Sequence, residues 1–114
     1  MRIFMISPVR NISEAFLARV GAAVAGLEQQ HSVYWPMRDT YQDQPEVDIV
    51  RANFAAIGGC DEVYICWDGE SEGCLFDLGM AFALGKPIRP VVGCVPRMTR
   101  GKSFANLIHA LGEE

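Results

Sequence analysis

Short apolar runs alternate along the chain with longer stretches in which apolar residues recur every three or four positions. Ile3 to Ile6 is apolar and partly β-branched, and reads as a first strand ended by Ser7-Pro8. Asn11 or Ser13 is placed to cap the next segment, where Ala15, Phe16, Val20, Val24 and Leu27 recur at helical spacing as far as Gln30. Val33-Tyr34-Trp35 reads as a second strand stopped by Pro36, and the polar stretch Met37 to Pro45 as a loop. A second helix is predicted from about Val47 to Ile57, ended by Gly58-Gly59. Val63 to Trp67 is apolar throughout, as a strand buried on both faces should be. The turn Asp68-Gly69-Glu70-Ser71 leads into a helix from Glu72 to Leu84, closed by Gly85. Pro87 to Val92 predicts a fourth strand, Gly93 to Gly101 a loop, and Ser103 to Leu111 a last helix.

Strands alternating with helices imply βαβ units and a parallel sheet. The expected fold is one α/β domain over residues 1–114, a flavodoxin-like or Rossmann-like three-layer sandwich with a parallel sheet of four to five strands. In such sheets ligands bind beyond the carboxyl ends of the strands. That places Ser7 to Asn11, Pro36 to Thr40, Asp68 to Gly73 and the segment from Gly93 onward around any site.

Charge and composition narrow the function. Ten basic against fourteen acidic side chains give a net charge of −4 over 114 residues, which opposes a general nucleic-acid binder. No apolar run is long enough to span a membrane, and the N-terminal apolar stretch is too short for a signal peptide. Cys60, Cys66, Cys74 and Cys94 form no C-x-x-C pair, and only His31 and His109 accompany them, so no zinc site is expected. Reduced thiols in a cytoplasmic protein are the simplest reading. Asp39, Asp43, Glu46 and Asp48 read as a solvated acidic loop.

The helix from Glu72 to Gly85 is apolar nearly all round and is expected to be buried. Asp77 in its middle therefore needs a partner, a wet cleft or a chemical role, because an unpaired buried carboxylate is costly. Gly73 and Ala81, one turn away on either side, leave room beside it. The turn from Asp68 to Gly73 is read two ways: as an anion cradle at a helix N-terminus, or as a capping serine in a solvated acidic loop. Arg10, just past the first strand, is placed to neutralise a phosphate or carboxylate. Gly101-Lys102-Ser103 is not a phosphate-binding loop, because the glycine such a loop requires upstream falls on Pro96.

Glu72-Gly73-Cys74-Leu75-Phe76-Asp77-Leu78-Gly79-Met80-Ala81, closing with Leu84-Gly85-Lys86-Pro87-Ile88, resembles the signature of the nucleoside 2-deoxyribosyltransferase family. That signature reads roughly D-x-G-T-x-x-E-x-G-x-A-x-x-x-G-K-P after a buried strand and an acidic turn. Ile6-Ser7-Pro8-Val9-Arg10 resembles the family's first sugar- or phosphate-facing loop, and Asn53 through Asp61 its middle helix. The family's nucleophilic Glu falls on Asp77, its base-contacting Asp on Asn53, and the signature's leading Asp and Thr on Ser71 and Cys74.

The resemblance implies cleavage or transfer at the N-glycosidic bond of a (deoxy)nucleoside or nucleoside 5′-monophosphate, with retention. Asp77 is then the expected nucleophile and Asp68 the carboxylate that assists proton transfer to the base. Asn53 hydrogen-bonds the base, while Ser7, Arg10, Gly69, Ser71 and Gly73 hold the sugar or phosphate. No metal or organic cofactor is implied. The competing expectation is a non-catalytic nucleotide-binding module of the same fold. The apolar helix, and a family that builds its sites at subunit contacts, imply a homodimer or larger assembly.

Overall fold

The computed structural model describes all 114 residues. It comprises β1 (Arg2–Ile6), α1 (Glu14–Glu28), β2 (Ser32–Tyr34), α2 (Pro36–Asp39), α3 (Glu46–Gly58), β3 (Glu62–Ile65), α4 (Glu72–Ala83), β4 (Ile88–Pro90) and α5 (Phe104–Gly112). The four strands form one parallel sheet in the order β2-β1-β3-β4, with Phe4 opposite both Tyr34 and Val63. This is the expected α/β fold at the lower end of the expected strand count.

Period-two alternation along β1 divides the core. Phe4 and Ile6 join the larger cluster with Ile57, Val63, Ile65, Leu78, Ala81, Ile88 and Ile108, so that α3, α4 and α5 cover one face. Ile3 and Met5 join Val20, Val24 and Val33 under α1 on the other. Serine hydroxyls cap three helices: Ser13 accepts from the Phe16 amide at 3.1 Å, Ser71 from Cys74 at 3.3 Å and Ser103 from Asn106 at 3.1 Å.

Several boundaries differ from the sequence reading. Pro36 does not merely stop β2; it opens the one-turn helix α2, where its missing N–H costs nothing. The residues expected to form an acidic loop are divided: Asp39 pairs with Arg38, and Glu46 and Asp48 occupy the first turn of α3. The fourth strand ends at Pro90, and a turn with Gly93 at φ 80° leaves Val92 98% exposed. The largest correction concerns α4. Cys74, Leu78 and Ala81 are buried, but Phe76 and Phe82 are 57% and 63% exposed, because α3 and the sheet cover only one side of the helix.

The Gly85-Lys86-Pro87 end of the signature is a helix-stopping device. Gly85 takes φ 70°, and the Lys86 amide reaches back to the Ala81 carbonyl at 3.1 Å. The Lys86 ammonium then donates to the carbonyls of Gly58 and Cys60 at 3.1 and 2.9 Å, at the C-terminal end of α3.

Candidate active site

From β1 the chain passes one way to β2 and the other way to β3, so the order reverses between β1 and β3. A crevice opens beyond the strand ends at such a reversal. It holds a cavity of about 730 Å³ walled by the segments after β1 and β3, by α3 and by the first turns of α4. That volume suits a small organic ligand.

Of the expected site residues, Ser7, Arg10, Asn53, Asp68, Ser71, Gly73 and Asp77 all line this cavity. Gly69 does not. Its φ of 85° and the Pro96 Cγ 3.3 Å from where a Cβ would stand make it a turn glycine. Asp68 shapes the same turn: its Oδ1 accepts from the Glu70 and Ser71 amides at 3.0 and 2.9 Å, leaving Oδ2 free. Ser71 caps α4 and still lines the cavity, so the capping and cradle readings are both realised in geometry. The Ser7 hydroxyl accepts from the Trp35 indole at 2.9 Å and donates to the Pro8 carbonyl at 3.5 Å, a long bond that a ligand oxygen at the cavity wall can replace.

Asp77 lies on the wall with only 9% of its surface exposed, and it forms no ion pair. Burial pushes its carboxyl up to about 7, and a hydrogen bond from Asn53 pulls the other way. Cys74, at the position of the signature's Thr, is buried one turn earlier; burial raises its thiol to about 12, a protonated and unreactive state. No group of three or more His, Cys, Asp or Glu side chains is placed to hold a metal ion.

The sequence reading missed part of the wall. Gln42, Glu46, Ile49, Val50 and Phe76 also line it. Gln42 spends both amide hydrogens on the carbonyls of Pro36 and Thr40, at 2.9 and 3.1 Å, and so pins the chain between α2 and α3. Thr40 in turn donates to the Asn53 Oδ1 at 2.8 Å. Polar residues in an aperiodic stretch carry no pattern that would announce these roles. Ile49 and Val50, four and three residues before Asn53 on α3, are the ones that helical spacing could have found.

A doubly wound parallel sheet with a polar crevice at its strand reversal and a buried, unpaired carboxylate in the wall defines an α/β protein built around a small-molecule site. The chain belongs to the nucleoside 2-deoxyribosyltransferase family, whose sequence profile matches residues 4–105. Among solved structures, a CMP N-glycosidase, BcmB, from Clostridium botulinum superposes with a TM-score of 0.63 at 21% identity, over 79% of this chain and 70% of that one. The 2-deoxyribosyltransferase of the psychrotolerant bacterium Bacillus psychrosaccharolyticus superposes with a TM-score of 0.69 at 17% identity, over 97% and 96% of the two chains. At these identities the likeness is one of fold. No curated protein matches the sequence. No helix is long and apolar enough to cross a membrane.

Proposed function

We propose that this protein cleaves, or transfers at, the N-glycosidic bond of a (deoxy)nucleoside or nucleoside 5′-monophosphate, with Asp77 as nucleophile. The carrying observation is a buried carboxylate without an ion pair on the cavity wall, where the resemblance to the family signature puts the nucleophilic Glu. In the first step an Asp77 oxygen bonds to the anomeric carbon, the C–N bond breaks, and the base leaves with the electron pair. The departing nitrogen takes a proton from water, and the free Oδ2 of Asp68 is the group assigned to assist that transfer by orienting the water. Water or a second base then attacks the same carbon from the opposite face and releases Asp77, so configuration is retained. The nucleophile must be ionised, so turnover rises with pH through about 7.

Wall charge bears on substrate choice. Glu46, Asp68, Glu70, Glu72 and Asp77 face a single guanidinium, Arg10. A neutral nucleoside meets less repulsion there than a phosphate dianion does, so nucleosides are the favoured substrates, with Ser7, Ser71 and the Gly73 backbone holding the sugar. The exposed Phe76 and Phe82 support a homodimer or larger assembly, and four unpaired buried thiols support a cytoplasmic setting. One observation favours a non-catalytic nucleotide-binding module instead: Asn53 replaces the family's Asp, and a carboxamide cannot serve as an acid.

Release of free base from a panel of nucleosides and their monophosphates, followed by chromatography, tests the proposal. Release by the wild type and none by Asp77→Ala supports it. Binding of these compounds without release by the wild type leaves the binding-module reading in its place.

A further inference from the structure

We propose that Thr40 is a positioning residue for Asp77: its buried hydroxyl, 2.8 Å from the Asn53 Oδ1, fixes which end of the Asn53 carboxamide faces the Asp77 carboxylate. The inference rests on the proposed role of Asp77 for its catalytic consequence, but not for its structural content.

A carboxamide is symmetric in shape and opposite in polarity at its two ends. Turned one way Asn53 offers Asp77 an N–H; turned the other way it offers a lone pair. The first orientation stabilises the ionised carboxylate, and the second stabilises only the protonated acid. Thr40 makes the choice. Its hydroxyl hydrogen goes to Oδ1, so that Nδ2 is the end of the amide left to act on the Asp77 carboxylate, which shares the cavity wall with Asn53. The Tyr34 phenol lies 2.7 Å from the Thr40 oxygen and 3.4 Å from the Asp39 carbonyl; with the Thr40 hydrogen committed to Asn53, the Tyr34 hydrogen goes to the nearer Thr40 oxygen. The chain therefore runs in one direction, from Tyr34 through Thr40 to Asn53 and on to Asp77.

Each member is held independently. The Tyr34 ring stacks on Phe4 with centroids 5.6 Å apart. The Thr40 carbonyl accepts from Gln42, and its amide donates to the Pro36 carbonyl at 3.1 Å. Other ionisable groups around Asp77 are Arg10 after β1, Glu46 on α3, Asp68 and Glu70 before α4, and Glu72 and Cys74 on α4. None of them touches Thr40 in the hydrogen-bond pattern, so replacing Thr40 leaves their contribution in place.

The test compares Thr40→Val, which keeps the shape and deletes the hydroxyl, with Thr40→Ser, which keeps the hydroxyl. With Oδ1 released, the amide is free to turn toward the protonated acid. The apparent pKa on the acid limb of the rate profile should then move up by about one pH unit, lowering the rate at pH 7 about fivefold. KM should change little, and Thr40→Ser should follow the wild type. Tyr34→Phe, which preserves the ring stack, should give a smaller shift in the same direction and serves if Thr40→Val does not fold. A Thr40→Val profile with an unmoved limb, whether lower at every pH or not, overturns the proposal. Should the wild type release no base, ¹³C NMR titration of the Asp77 carboxyl carbon, assigned by its loss in Asp77→Asn, still decides: an upward shift in Thr40→Val supports the positioning role, and coincident titrations end it.

Discussion

The Lys86 ammonium donates to the Cys60 carbonyl at 2.9 Å, tying the residue after α4 to the end of α3. Lysine is therefore suited to its place between Gly85 and Pro87 by the mechanical tie it makes between α4 and α3. Lys86→Met should cost about 1 kcal/mol through loss of a charged hydrogen bond at a helix C-terminus. A lower melting temperature with unchanged base release per folded molecule is expected. Loss of turnover at unchanged stability would assign Lys86 to the site.

Asp77 makes stability depend on pH in an unusual direction. Its carboxyl rises from 3.8 in the unfolded chain to about 7 when folded. Below the lower value both states are protonated and nothing is lost. Between the two values the unfolded chain ionises first, so folding weakens as pH rises, by at most about 4 kcal/mol above the higher value. Asp77→Asn lacks this titration. Its advantage over the wild type in urea unfolding should grow from pH 4 to pH 7 and then level off. A variant less stable than the wild type at pH 8 would show that Asp77 has a structural partner.

Asp77→Glu tests reach. One added methylene extends the carboxylate by about 1.5 Å, the length the family's own residue has. Misplacement near 1 Å can cost about a hundredfold in rate, so restoring the longer chain should raise kcat by about tenfold or more. A fall in kcat would mean that this cavity has closed around the shorter side chain.

The uncovered side of α4 predicts self-association. Light scattering at micromolar concentrations should give at least a dimer mass, and Phe82→Glu should shift it toward the monomer. A monomeric wild type would leave these rings for another partner.

Gly112 offers a test of packing. A Cβ there would stand 2.5 Å from the Cδ of Pro90, within the contact between α5 and β4. Gly112→Ala should cost about 1–3 kcal/mol, as overpacking does. A melting temperature equal to the wild type would show that α5 slides freely along the strand.

What the sequence disclosed follows from how local each signal is. β1, α1 and α5 were legible because a continuous apolar run or a capping serine marks them within a few residues. Ser7 was legible as a crevice residue because it follows a strand end, and Asp77 as unusual because it is a carboxylate in an apolar helix; Asn53 was reached only through the family resemblance. The covered face of α4 was not. Apolar composition says that surface wants cover, but not which neighbour provides it. α2 was missed because Pro36 ends a strand and begins a helix with the same fixed φ. Thr40 and Gln42 were missed because their roles exist only after the segment folds back over α3.

The position of β1 has a consequence for the chain as it is made. Ile3 to Ile6 leave the ribosome before either strand that flanks them, yet they end fully enclosed between β2 and β3. Their second neighbour, Glu62–Ile65, is some sixty residues away. At synthesis rates of about 5–20 residues per second, this apolar segment waits roughly 3–12 seconds for the strand that shields its open edge. Nascent chains that stall before Glu62 are therefore the form of this protein most exposed to chaperones and to aggregation, whatever the stability of the finished molecule.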